Sequence, residues 1–153
     1  MSERFKPPAG FEARVRASFA RQGVMELLGA QLTRVEPGLV VIELPFRREL
    51  SQQHGFFHAG MTSTIADNAG GFAGYTLFPA DSSVLTVEFK INLIAPADGE
   101  RLIATGRVKK PGRNLTVCEF EVDVVKNGKV KTCALGLQTL MCVQGRADMP
   151  TAG

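Results

Sequence analysis

The stretch from Gln52 to Tyr75, QQHGFFHAGMTSTIADNAGGFAGY, most narrows what this chain can fold into. Met61, Ile65, Ala69, Phe72 and Thr76 recur at helical spacing and form an apolar stripe. The opposite face holds Gly60, Thr64, Asp67, Gly71 and Gly74, small residues with a single carboxylate in their middle. Each glycine costs about 1 kcal/mol of helix stability relative to alanine, so three on one face predict that something approaches that backbone closely. On periodicity alone the small face reads first as a packing surface for another helix or a sheet, with Asp67 a solvated acid.

The rest of the chain gives this helix something to cover. Phe11 to Leu28 reads as a helix with Phe11, Val15 and Phe19 on one side and Gly29 as its stop. Its arginines 14, 16 and 21 read as a solvated face. Ala30–Val35 and Leu39–Phe46 read as strands around a Glu36-Pro37-Gly38 turn. After the helix, Leu85, Val87, Phe89, Ile91 and Leu93 alternate with Thr86, Glu88, Lys90 and Asn92, which predicts one long, half-buried strand with Thr86 on its polar face. Three more strands follow, Arg101–Lys109, Leu115–Lys126 and Val130–Val143, the last two joined by Asn127-Gly128, a type I′ hairpin signal. Four strands in succession with short turns predict an antiparallel sheet, with the Met61–Phe72 stripe as its cover. The expectation is an α+β chain of one domain over residues 1–153, with loose ends at 1–10 and 145–153.

Composition removes several classes of function. A net charge of +3 and one Tyr with no Trp give neither a basic footprint nor stacking platforms for nucleic acid. No apolar run is long enough for a membrane span, and the first residues lack a signal-peptide core. Cys118, Cys133 and Cys142 fit no disulfide framework or zinc pattern, and a cytoplasmic, reducing setting is expected. His54 and His58 lie four apart without a third ligand nearby, so neither a metal nor another cofactor is expected.

This order of elements resembles the hotdog fold, a curved antiparallel sheet wrapped around a long central helix. The central stretch resembles the phenylacetyl-CoA thioesterase-like (PaaI-type) family of acyl-CoA thioesterases. His58-Ala59-Gly60 stands where that family has His-Gly-Gly at the helix start, and Asp67 follows Gly60 by seven residues, the family's spacing. The likeness runs on through VLTVEFKINLIAPA and RVKKPGR, about Val40 to Cys142. The resemblance implies hydrolysis of a short-chain, medium-chain or aryl acyl-CoA. It implies that the Ala59 N–H polarises the thioester carbonyl, and that Asp67 is the nucleophile or the general base. It implies further that Gln52 hydrogen-bonds near the thioester, that Thr86 orients Asp67 or the water, and that His58 supports the loop. Ala59 replaces the usual Gly, and Gln52 the commoner Asn. Gly60, Phe57 and Met61 are expected at the substrate, with Phe56 and Phe72 as further wall candidates. Lys109, Lys110 and Arg113 around Pro111-Gly112 read either as a solvated turn or as contacts to CoA phosphates.

The chemistry carries a geometric demand of its own. A helix start offers unpaired N–H groups to a developing oxyanion, and a carboxylate in a cleft can deliver the attack. Ala59 and Asp67 are eight residues apart, about 12 Å along a helix axis, so one carbonyl cannot touch both. Two antiparallel copies of the helix across a two-fold axis would bring Asp67 of one chain to Ala59 of the other, giving two equivalent sites. A homodimer is therefore expected, and the family tendency adds a dimer of dimers, a homotetramer. The competing readings are an enoyl-thioester hydratase or dehydratase on the same fold and a non-catalytic acyl-CoA binder.

Overall fold

The computed structural model describes residues 5–148; the expected loose residues 1–4 and 149–153 lie outside them. Six strands form one antiparallel sheet: β1 (Gln31–Glu36), β2 (Leu39–Pro45), β3 (Ser83–Leu93), β4 (Arg101–Lys110), β5 (Leu115–Lys126) and β6 (Lys129–Val143). Helix α3 (Ala59–Tyr75) lies on one face, mainly across β4, β2 and β5. The hotdog architecture is thus present. The β5–β6 turn takes the expected left-handed pair, Asn127 at φ 51° and Gly128 at φ 74°.

Between α3 and the sheet sit Ile65, Ala66, Ala69, Phe72 and Ala73, against Val40, Ile42, Leu44, Leu102, Ala104, Phe120, Val122 and Leu140, all essentially buried. The approach is closer than side chains alone would allow. A Cβ at Gly106 of β4 would stand 2.2 Å from the Ala69 carbonyl carbon and oxygen. A Cβ at Gly74 would stand 2.4 Å from Leu140 Cδ1. A Cβ at Gly70 would stand 1.8 Å from Gln138 Oε1, so the glycines that let α3 descend are Gly106 on the strand and Gly70 and Gly74 on the helix. Gly71, on the face expected to receive a close neighbour, has open space where its Cβ would be.

The structure departs from the sequence reading in three places. The single expected helix over Phe11–Leu28 is two, α1 (Phe11–Ala20) and α2 (Gly23–Leu28), because Gln22 is extended at ψ 106° and Gly23 restarts the chain. Gly29, at φ 73°, does terminate the second. Arg14 is not solvated. Its guanidinium donates to the carbonyls of Tyr75 at 2.9 Å, Phe78 at 2.8 Å and Pro79 at 2.5 Å, and lies 4.1 Å over the Tyr75 ring, capping the C-terminal end of α3. Arg16 and Arg21 pair with Glu12 and Asp148.

The third departure concerns β3. It does not neighbour β4; the sheet order is β1-β2-β4-β5-β6-β3, so β3 is an edge strand beside β6. The connection through residues 94–100 crosses the end of the sheet, its Ile94 N–H donating to the Cys133 carbonyl at 2.9 Å and its Ala97 carbonyl accepting from Phe57 N–H at 3.0 Å. A bulge between Thr86 and Glu88 shifts the register. Thr86 pairs with buried Leu140 and Phe89 with buried Gln138, so both turn toward the helix side. Leu85 pairs with Met141 on the outer face. Phe89 and Leu93 remain 43% and 53% exposed, since α3 does not reach that far.

Candidate active site

The loop before α3 is built to present the helix start. Phe57 is buried, edge-on to Phe46 with centroids 5.1 Å apart, and its bridge with Ser51 closes the loop. The His58 N–H donates to the Leu50 carbonyl at 2.9 Å, and His58 itself is the N-cap at φ −64°, ψ 138°. Its Nδ1 accepts from Gly60 N–H at 2.8 Å, which leaves the ring proton on Nε2. The His58 carbonyl takes the N–H groups of Met61 and Thr62. Of the first helical N–H groups, that of Ala59 alone has no hydrogen-bond partner among the described residues. His58 thus acts as a cap, and the cap selects which donor stays free.

The Gln52 side-chain carbonyl accepts from His54 N–H, leaving its NH₂ group to donate elsewhere. Gln52, Phe57, His58 and Ala59 share an open cavity of about 470 Å³ whose other walls include Phe56, Thr62, Leu93, Ile94 and Ala95–Ala97. Gln53 is exposed and does not line it. Met61 packs partly buried against the core, and Thr62 takes the wall position instead. Cys133 also lines this space, but burial pushes its thiol up to about 11, and it donates to the Val122 carbonyl. A protonated, bonded thiol is no nucleophile.

Asp67 lies two turns further along α3, on a second cavity of about 300 Å³ with Asn68, Gly71, Phe72, Val84 and Thr86. Its Oδ1 accepts from Thr86 Oγ1 at 2.8 Å and from Gln138 Nε2 at 3.0 Å. The bulge in β3 is what turns Thr86 toward it. Gln138 escaped the sequence reading. Its signal was a lone amide in a strand apolar on both faces, where Leu135, Leu137 and Met141 look like the core set but point outward.

Within one chain, then, Gln52, His58 and Ala59 come together, as do Asp67 and Thr86, but the two groups occupy separate cavities. Phe72 joins the Asp67 cavity. The basic turn stands apart from both. Lys109 pairs with Glu119 at 3.1 Å, Lys110 is exposed, and Arg113 borders a groove with Leu77, Phe78, Pro79 and Gln144.

The fold is a hotdog in which one cavity carries a free helix-start donor and the other a held carboxylate. Residues 54–131 match the thioesterase superfamily, and the chain belongs to it. A thioesterase family protein from Silicibacter pomeroyi is 45% identical in structure-based comparison, with a TM-score of 0.88 over 89% of this chain and 100% of that one. The proofreading thioesterase EntH of Klebsiella pneumoniae is 27% identical over 74% of this chain and 82% of its own. Human acyl-coenzyme A thioesterase 13 is 28% identical over 65% of this chain and 71% of its own. The PaaI protein of E. coli, at 19% identity, shares the fold with a TM-score of 0.79 over 93% of this chain and 99% of that one.

Proposed function

We propose that the chain hydrolyses the thioester of a short-chain, medium-chain or aryl acyl-CoA, in sites shared between two copies. The observation that carries this is the separation of the two halves. The free Ala59 N–H and the held Asp67 carboxylate belong to different cavities of one chain. Three features support a partner that joins them. β3 ends the sheet with an open edge of 11 residues. Phe89 and Leu93 face the helix side without cover. Gly71, beside Asp67, leaves room for a second backbone. Edge-to-edge pairing of two β3 strands would lay two α3 helices side by side and antiparallel.

In such a site the thioester oxygen sits at the Ala59 N–H, with the Gln52 amide and the α3 dipole adding to the field. The partner's Asp67 attacks the carbonyl carbon directly or takes a proton from the water that does. The C–S bond then breaks, and the sulfur leaves as CoA thiolate; on the direct route water then cleaves the Asp67–acyl anhydride, releasing the free acid and restoring the carboxylate. Thr86 holds the carboxylate, and His58 keeps the loop. Phe56, Phe57, Leu93 and Ile94 offer an apolar wall for the acyl group, while Gly60 and Met61 border the helix start. Lys110 and Arg113, with Lys109 beside them, meet the CoA phosphates. The outward row of Leu85, Met141 and Leu115 supports a further contact that makes a dimer of dimers. Three unpaired, buried thiols accord with a cytoplasmic setting.

The test is complementation. Asp67→Asn removes the carboxylate. Ala59→Pro removes the N–H at the first helical position, where proline fits and where His58 already has the extended backbone that a following proline requires. Each variant alone should lose thiol release from an acyl-CoA panel by orders of magnitude while staying folded. Co-refolded in equal amounts they should recover about a quarter of the natural activity, because half the dimers are mixed and each of those has one intact site. An inactive mixture of exchanged chains would overturn the shared site, and activity in Asp67→Asn would remove Asp67 from the chemistry. Acyl-CoA binding without turnover in the natural protein would select the binder, and water addition to an enoyl thioester the hydratase. A single turnover in ¹⁸O-water separates the two routes of attack: label in Asp67 marks the nucleophile.

A further inference from the structure

Gln138 is 1% exposed, at an inward position of β6 between Cys118 of β5 and Phe89 of β3. Its Nε2 donates twice to one residue, to Asp67 Oδ1 at 3.0 Å and to the Asp67 main-chain carbonyl at 3.2 Å. Both partners are acceptors, so the amide can face them only with its NH₂ group. The other end of the amide, Oε1, is buried without a hydrogen-bond partner among the described residues. Leaving a buried acceptor unpaired is destabilising, and an apolar residue of the same length would avoid it. The helix has also made room: a Cβ at Gly70 would fall 1.8 Å from Oε1 and 2.8 Å from Cδ. Two costs, an orphaned acceptor and a helical glycine, converge on a single contact to one carboxylate.

The pattern at that carboxylate is one-sided. Thr86 Oγ1 and Gln138 Nε2 both bond Oδ1, and among the described residues nothing bonds Oδ2. The second bond from Nε2, to the main chain of Asp67, ties the two ends of the side chain to one donor and fixes its rotation. We infer that Gln138 is a positioning residue for the hydrolysis: with Thr86 it pins Asp67 Oδ1 and so presents Oδ2 as the atom that attacks the thioester or takes the proton from water. This rests on the reading of Asp67 as the reacting group. It adds which oxygen reacts and what aims it.

The experiment compares kcat, KM and thermal midpoint for the natural protein, Gln138→Met, Gly70→Ala, Asp67→Asn and the double variant Asp67→Asn with Gln138→Met. Methionine keeps the length and removes the donor. Alanine at 70 keeps the glutamine and pushes its amide off the carboxylate, so it serves if the first variant does not fold. Gln138→Met should lose about 10–100-fold in kcat, the loss expected for one hydrogen bond to a charged group, with KM changed by less than about twofold. Its midpoint should hold or rise, because the orphaned acceptor is gone. In the Asp67→Asn background it should cost nothing more. Full kcat in Gln138→Met with Asp67→Asn inactive would overturn this inference and leave the Asp67 reading standing. An equal, additive loss in both backgrounds would also overturn it, marking a packing role. Full activity in Asp67→Asn would bring down the Asp67 reading itself.

Discussion

Gly106→Ala tests how α3 is seated. The added Cβ would lie 2.2 Å from Ala69 C and O and 2.4 Å from Gly70 N, all main-chain atoms that no rotamer change can clear. Ordinary contact begins at 3.4 Å, so helix and strand must part by 3.4 − 2.2 = 1.2 Å. The helix is not free to rise, because Gln138 grips it beside Gly70 and Arg14 holds its far end. Overpacking in a core costs about 1–3 kcal/mol when side chains can adjust, and a backbone-on-backbone clash belongs at or above the top of that range. A loss of about 3 kcal/mol lowers the midpoint by about 6–12 °C in a chain of this size. Urea titration and thermal circular dichroism read both numbers. Gly23→Ala is the control, since its Cβ meets nothing within 4 Å and its backbone is not left-handed. A Gly106→Ala protein within about 1 kcal/mol of the natural one would refute the close seating of α3 on β4.

Thr86→Val keeps the shape and removes one of the two donors to Asp67 Oδ1, so kcat should fall about 10–100-fold with the fold intact by circular dichroism. Arg14→Leu leaves the carbonyls of Tyr75, Phe78 and Pro79 without their shared donor and should cost about 2–3 kcal/mol in urea titration, with Arg14→Lys recovering only part of it. Arg113→Ala should raise KM several-fold for an acyl-CoA but not for the same acyl group on pantetheine, and the difference should shrink in high salt. Burial pushes the Cys118 thiol from an ordinary 9.0 up to about 12. Above pH 9 the unfolded chain therefore releases this proton while the folded chain keeps it, and stability should fall by about 1.4 kcal/mol per pH unit toward pH 12. Cys133, pushed up to about 11, adds its own share, so urea midpoints against pH should fall at least this steeply, and Cys118→Ala should remove only the Cys118 part of the slope.

The helix, its Asp67 and its start at Ala59 were legible because period and spacing are local properties. The sheet's strands were legible for the same reason, their order less so. β3 finds β6 rather than β4 through contacts distant in sequence, and no hairpin signal announces them. The bulge after Thr86 is likewise silent in the alternation of Leu85 to Leu93, yet it moves Thr86 from the expected polar face to the side of Asp67. In β6 both faces are apolar, so the pattern could not tell that Gln138, rather than Leu135 or Leu137, points inward. The glycines show the same limit. Their number predicted a close approach, but Gly70 and Gly74 serve the chain's own sheet, while Gly71 is left open.

The backbone contact between Ala69 and Gly106 has a bearing on how such a chain can diversify. It fixes α3 as a ruler, with Ala59 and Asp67 as two marks whose separation no loop change alters. The walls of the larger cavity come instead from the segments at 52–57 and 94–97, which touch the ruler only at its end. On the proposed function, substitutions at Phe56 and in 94–97 would reshape the acyl pocket while the spacing of Ala59 and Asp67 stays as the helix sets it, so new substrates would be reachable by loop drift with the chemistry inherited unchanged.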